Sequence, residues 1–250
     1  MTVCWLATAT YEEVAALDRS HAVAIVPLGA TEAHGPHLPL STDVIIVEAM
    51  ARAGAQRLAD RGVTAVVLPT VALTPAPFAA AFPGTIGVRP ATLVALLEDV
   101  ADTLAAQGFT RMALISAHLD PEHLGAVTEA IETIRADGMR VAFPNLARRP
   151  WSGRLGEEFQ TGACHAGRFE TSIVMAERPE LVRDVRTTLP PNPNSLSVAI
   201  RAGQHTFAEA GGPRAYFGWP ADATADEGRA LVDTLGAILE EAALPLLHDD

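Results

Sequence analysis

Ala22-Val23-Ala24-Ile25-Val26-Pro27-Leu28, followed at once by Gly29-Ala30-Thr31-Glu32-Ala33-His34-Gly35-Pro36-His37-Leu38-Pro39-Leu40-Ser41-Thr42-Asp43, is the stretch from which the fold is read. Its first run is short, β-branched and continuously apolar, the pattern of a parallel strand buried on both faces. The second crowds four metal-capable side chains, Glu32, His34, His37 and Asp43, into one loop. Asp43 then opens the segment Val44 to Leu58, where apolar residues recur at helical spacing and Thr42 is placed to act as N-cap. Strand, loaded loop and helix in that order predict an α/β protein. The loop falls at a strand's carboxyl end, where open α/β sheets bind ligands.

Working outward, strand-like runs recur at Thr64 to Pro69, Arg111 to Ser116 and Arg140 to Pro144. Helical patterns separate them or follow them at Pro90 to Gln107, Pro121 to Ala136 and Ala225 to Ala243, with Gly108 and Gly138 ending the first two. A mostly parallel sheet flanked by helices fits this alternation. Residues 145 to 162 turn irregular and rich in Arg and Gly, a candidate lid or oligomer contact. The Pro-rich Leu189 to Asn194 reads as a rigid connector within one domain spanning residues 1 to 250.

Two further loops repeat the logic of the first. The run Met112-Ala113-Leu114-Ile115-Ser116 ends in Ala117-His118-Leu119-Asp120-Pro121-Glu122-His123, where His118 and Asp120 share one side of an extended segment. Asp120 is either a ligand or the N-cap of a helix with Pro121 at its first position. His123 falls inside that helix, behind the site or on the surface. Farther on stands Cys164-His165-Ala166-Gly167-Arg168-Phe169-Glu170-Thr171-Ser172. If Gly167 marks a loop-to-helix junction, Glu170 lies in the first helical turn, as an N-terminal charge or as a donor to a metal. Glu and Asp oxygens beside imidazole nitrogens are the mixture that zinc, manganese or iron accepts.

With a formal net charge of −12 and no basic cluster in the sequence, nucleic acid and anionic membranes are not expected partners. A small-molecule substrate is. No apolar run approaches the ~20 residues of a membrane span, and the N-terminus lacks a basic region followed by an apolar core, so a soluble cytoplasmic protein is expected. Two cysteines, Cys4 and Cys164, make no disulfide framework. Cys4 reads as structural. Cys164, next to His165, is conceivable as a ligand or nucleophile. His21, His205 and His248 lack supporting neighbours and read as surface or structural residues.

Taken together, G-A-T-E-A-H-G-P-H-L-P-L-S-T-D, S-A-H-L-D and H-A-G-R-F-E-T-S resemble the creatininase (creatinine amidohydrolase) family. Phe82 to Ile86 and Gly218 to Gly228 match further family segments. The resemblance implies a three-layer α/β/α fold with a mostly parallel central sheet, and a homo-oligomer that is often a hexamer. It also implies two divalent metal ions per subunit (zinc, manganese or iron). Glu32 and His34 are each implied to bind one metal, Asp43 to bridge both and His118 to complete one site. Asp120 falls where creatininase has a Glu ligand, Glu170 matches a glutamate that also serves as a ligand, and His165 matches the catalytic histidine.

The implied activity is hydrolysis of a non-peptide C–N bond, cyclic amide or formamide-like, by a water activated between two metals. His165, Asp120 and Glu170 are the candidates to move its protons. Departures from the family pattern point to a changed pocket. Ala33 replaces a Gln, and Ala76, Phe78 and Ala79 stand where many members carry Ser, Glu and His. Arg168 replaces an acidic residue, either to neutralise an anionic substrate or to pair with a carboxylate across a subunit boundary. Trp151 and Trp219 line the pocket or pack in the core. Alternatives are ring opening of a keto-inositol, a protease in peptide-cofactor maturation, or a metal-binding member without catalysis.

Overall fold

The computed structural model describes residues 2–248. Its centre is a parallel sheet of β1 (Val3–Trp5), β2 (Ala22–Leu28), β3 (Thr64–Val67), β4 (Arg111–Ser116) and β5 (Arg140–Ala142), in the order β1-β3-β2-β4-β5. In chain order the helices are α1 (Tyr11–Ala15), α2 (Thr42–Asp60), α3 (Pro90–Ala106), α4 (Pro121–Ala136), α5 (Glu157–Thr161), α6 (Arg168–Glu177), α7 (Leu196–Arg201) and α8 (Ala225–Ala243). Among the described residues no helix is long and apolar enough to cross a membrane.

The apolar run of β2 is explained by layers on both sides of it. Val23 and Ile25 pack with Ile46 and Met50 of α2 and Leu235 and Leu239 of α8. Ala24, Val26 and Leu28 point the other way, to Leu93 and Leu97 of α3 and Val127 and Ile131 of α4. The result is three layers, α/β/α, with every residue of β2 buried. Each fully buried Val, Ile or Leu contributes about 1.5–3 kcal/mol of transfer free energy, which holds this strand at the centre.

Strand order also places the site. The chain leaves β2 through α2 to β3 on one side, and leaves the adjacent β4 through α4 to β5 on the other. The loops after β2 and β4 therefore diverge. They open a crevice at the carboxyl edge of the sheet, the topological switch point of an open α/β fold. Gly29 lets the crevice form, since a Cβ there would lie 2.9 Å from the Val44 nitrogen. Only a bare backbone allows the first turn of α2 to approach this closely.

Several expected boundaries shift. Thr42 lies inside α2; Ser41 takes the N-cap position without a side-chain bond, and the Thr42 hydroxyl donates instead to the Pro39 carbonyl at 2.7 Å. The turn after Pro36 brings that carbonyl within reach. β3 stops at Val67, beyond which the Leu68 N–H still donates to the Ile25 carbonyl at 2.9 Å and a bridge joins Leu28 to Val71. β5 stops at Ala142, before Pro144, which has no N–H to donate. Residues 145–162 hold a short turn at Trp151–Arg154 and then α5.

Candidate metal centre

Glu32 and His34 follow β2, Asp43 sits in the first turn of α2, and His118 follows β4. His165 precedes α6 and Glu170 lies in its first turn, with Gly167 as N-cap. These six side chains, all buried, converge. His34 Nε2 lies 3.3 Å from Asp43 Oδ1, 3.4 Å from Glu170 Oε2 and 3.9 Å from Glu32 Oε1. His118 Nδ1 lies 3.2 Å from Asp43 Oδ2 and 3.4 Å from Glu32 Oε1. His165 Nδ1 stands 3.8 Å from Glu32 Oε1. The donor atoms of His34, Asp43 and Glu170 lie within 4.8 Å of one another, as do those of Glu32, Asp43 and His118, and of Glu32, His34 and His165. Asp43 turns one oxygen to His34 and the other to His118.

The three imidazoles share one arrangement. His34 Nδ1 donates to the Glu32 carbonyl at 3.1 Å, His118 Nε2 to the Pro75 carbonyl at 2.8 Å and His165 Nε2 to the Ala33 carbonyl at 3.0 Å. A carbonyl only accepts, so each far nitrogen carries the hydrogen and each near nitrogen faces the carboxylates. Metal-binding histidines are oriented in this way.

Electrostatics describe a cradle for positive charge. Burial would lower the His34 pKa, yet Asp43 and Glu170 outweigh it and raise the imidazole to about 10. His118 is likewise raised well above its ordinary value, with Glu32 and Asp43 overcoming burial. Glu170 is pushed up to about 8, chiefly by burial. Asp43, despite burial, is held low by His34 and His118. Glu32 Oε2, Asp43 Oδ2 and His34 Nε2 are buried without a hydrogen-bond partner. Buried charge of this kind is costly unless paired or metal-bound, so these residues fit a divalent cation held by mixed oxygen and nitrogen donors.

His165 differs from the other two imidazoles. Burial, and then the positive charge of His34, lower its pKa to about 4. It is neutral at pH 7, with the Nδ1 lone pair directed into the chamber and its ring 4.2 Å from that of Phe207.

Other expected residues fall into different places. Asp120 is buried and caps α4, its Oδ1 accepting from the Glu122 N–H at 2.8 Å and its Oδ2 from the Phe78 N–H at 3.3 Å. It lines the same chamber but joins none of the three donor groups. His37 also stands apart from them, with Nε2 3.0 Å from the Thr171 hydroxyl, tying the loop to α6. His123 is buried behind His118, 2.9 Å from the Ser116 hydroxyl. His21, His205 and His248 are exposed. Arg168 pairs within its own chain, its Nη2 2.9 Å from Glu227 Oε1, so it is not free to face a substrate. Trp151 packs on the core under α8, and Trp219 packs beside Phe207 and Phe217. Neither lines the chamber. Cys4 is buried, and burial pushes the Cys164 thiol well up, away from the thiolate a nucleophile needs.

One functional support has no motif in the sequence. Glu158 of α5 is buried and accepts the main-chain N–H groups of Arg168 at 2.8 Å, Phe169 at 2.7 Å and Trp219 at 2.7 Å. It fixes the start of the helix that carries Glu170. A Cβ at Gly167 would lie 2.7 Å from Glu158 Oε1, so the glycine in this motif makes room for the carboxylate.

The chamber above the cluster has a volume of about 60 Å³. Its other walls are apolar: Phe78, Leu119, Leu196, Ile200 and Phe207. Ala76 and Ala79 are buried outside this lining.

Comparison with known proteins agrees with the fold. The creatininase family profile, described as creatinine amidohydrolase, matches residues 7–243. A mycofactocin precursor peptide peptidase of Mycobacterium tuberculosis is 31% identical over 215 residues, covering 83% of this chain and 78% of that protein. A creatinine amidohydrolase of Pseudomonas putida is 27% identical over 180 residues, covering 64% of this chain and 66% of that protein. Among solved structures, one described as "Creatininase Mn" superposes with a TM-score of 0.73 at 21% identity, covering 96% of this chain and 97% of that chain.

Proposed function

The chain belongs to the creatininase family of hydrolases, and from that premise we propose that its clustered side chains hold two divalent metal ions and hydrolyse an amide C–N bond. The carrying observation is the shared posture of His34, His118 and His165, each anchored to a main-chain carbonyl on its far side and open toward the carboxylates. Glu32, Asp43 and His118 would hold one ion, and His34, Asp43 and Glu170 would hold the second. Glu170 is preferred to Asp120 as the closing ligand because its Oε2 lies 3.4 Å from His34 Nε2, whereas the Asp120 oxygens face main-chain N–H groups.

When bound, such a metal pair lowers the pKa of water toward neutrality and polarises a carbonyl. His165 is the base: its neutral Nδ1 faces the chamber, takes a proton from the attacking water and returns it to the leaving nitrogen. Asp120, raised above the ordinary Asp value chiefly by burial, lines the same wall and is the second proton-handling group. Phe78, Leu119 and Phe207 keep bulk water from the reacting centre. Zinc, manganese and iron(II) all suit the donors, and a cytoplasmic homo-oligomer, up to a hexamer, belongs to the same reading.

The substrate class extends beyond cyclic amides and formamides. Relatives at 30–31% identity are named as peptide peptidases, and apart from the clustered donors and Asp120 the chamber walls are apolar. A short peptide or another elongated amide fits better. The test is metal content per chain together with turnover of creatinine, formamides and short peptides after reconstitution. About two equivalents of metal, falling to one or fewer in Asp43→Ala, with hydrolysis of at least one C–N substrate, is expected. Wild-type protein that takes up no metal, or loaded protein that cleaves none of them, overturns the assignment.

A further inference from the structure

We propose that a second cavity, which adjoins the metal chamber, is a subsite for a carboxylate at the far end of the substrate, recognised by Arg149 and Arg201. This rests on the amidohydrolase reading and names the substrate class it would serve. The cavity has a volume of about 350 Å³ and shares Leu119, Cys164, Leu196 and Ile200 with the chamber. In this proposal a substrate held in the chamber extends past these shared side chains. Beyond them the lining becomes polar and cationic, with Arg149, Arg201, the Gln160 amide and the hydroxyls of Ser152 and Ser197.

The charge of this cavity is set by its two arginines. All 18 basic residues are arginines in a chain of net charge −12. Many are already paired: Arg52, Arg57, Arg61, Arg154, Arg168 and Arg178 each face a carboxylate. Arg149 and Arg201 have no ion pair and no side-chain hydrogen bond among the described residues. No acidic residue lines their cavity. A more open groove alongside shares Arg201 and is lined by Glu129 and Glu132 as well, with no ion pair to Arg201 among the described residues.

Two unspent guanidinium groups beyond these apolar side chains suit a carboxylate, whose oxygens match the planar fork of Arg. They also offset, locally, the repulsion that this acidic protein exerts on an anion. The substrate so described has a scissile amide in the chamber and an apolar segment against Leu119, Leu196 and Ile200. Its carboxylate comes from a peptide C-terminus or from an N-acyl amino acid.

The experiment compares matched pairs on the metal-loaded enzyme: alanyl-alanyl-leucine and N-acetylleucine, each against its C-terminal amide. Wild type, R149A, R201A and the double variant are assayed at low and high salt. Wild type is expected to show a KM about tenfold lower or better for the carboxylate of at least one pair. The double variant should erase that preference while leaving kcat and the KM of the neutral amide within about twofold. Which pair responds distinguishes a peptide from an acyl amino acid. Equal KM values for both pairs in wild type, or a preference that survives in the double variant, overturn the proposal. If no compound is cleaved, the amidohydrolase reading is what fails, and calorimetric binding of N-acetylleucine then decides the subsite. Binding that the double variant loses supports it; binding that is absent or equal in both proteins overturns it.

Discussion

A lone buried carboxylate and a buried group of three stand near the first turn of α6, and they are solved in opposite ways. Glu158 accepts three main-chain N–H groups at 2.7–2.8 Å and has its oxygens occupied. Glu32, Asp43 and Glu170 face imidazoles and one another, and Glu32 and Asp43 each keep a buried oxygen without a hydrogen bond. Burial of an acid does not by itself mark a site. The mark is lone pairs that the protein's own donors leave unspent.

The sharpest break in this contrast is Asp43→Asn. It removes the charge common to both triads, and turnover should fall by about three decades or more, at about 1.4 kcal/mol of barrier per decade. The circular dichroism spectrum should remain that of a folded protein; activity within tenfold of wild type would remove Asp43 from the metal centre. Glu158→Ala should do its damage to the fold, stranding three buried donors at a cost of about 3 kcal/mol or more. Denaturant unfolding measures this, and Glu158→Gln, which keeps an acceptor oxygen, should lose clearly less. Equal losses in the two variants would mean that packing, not hydrogen bonding, is what Glu158 supplies.

pH separates the two regions again. In metal-free protein His34 is raised from 6.5 to about 10, so its contribution to stability is complete below pH 6.5 and is lost as pH rises through about 10. Chelated protein should therefore lose stability across this window. Metal must displace the same proton, so affinity should rise about tenfold per pH unit for each proton released. Titration in buffers of different ionisation enthalpy counts those protons; zero released would contradict the raised imidazoles. Smallest of all should be Cys164→Ser, with metal content unchanged and activity within about twofold, because the buried thiol contributes no charge to either region.

Legibility in the sequence followed the same division. The strand–loop–helix units were readable because β2 and β4 are continuous apolar runs whose loops carry the donors, and Glu32, His34, Asp43 and His118 were named from them. The three-layer architecture agrees with the resemblance those motifs carry. Glu158 was not readable, since its role depends on N–H groups from residues 168, 169 and 219 meeting in space. Of the two readings of Arg168, pairing with a carboxylate holds, but within the chain and not across a subunit boundary, since its partner, Glu227, lies far along the same sequence. Asp120 and Glu170 looked equivalent as acids near helix starts, and only the fold shows one turned to α4 and the other to His34. β1 and α7 are too short for periodicity to register.

The bond from His165 to the Ala33 carbonyl leads somewhere else again. It is made to the chain, not to a side chain, and every amino acid brings the same carbonyl to position 33. The imidazole is tethered to an address instead of to an occupant. A change of side chain at that address leaves the acceptor where it is, so the apolar cluster that buries Ala33 can be repacked over generations without retuning the imidazole.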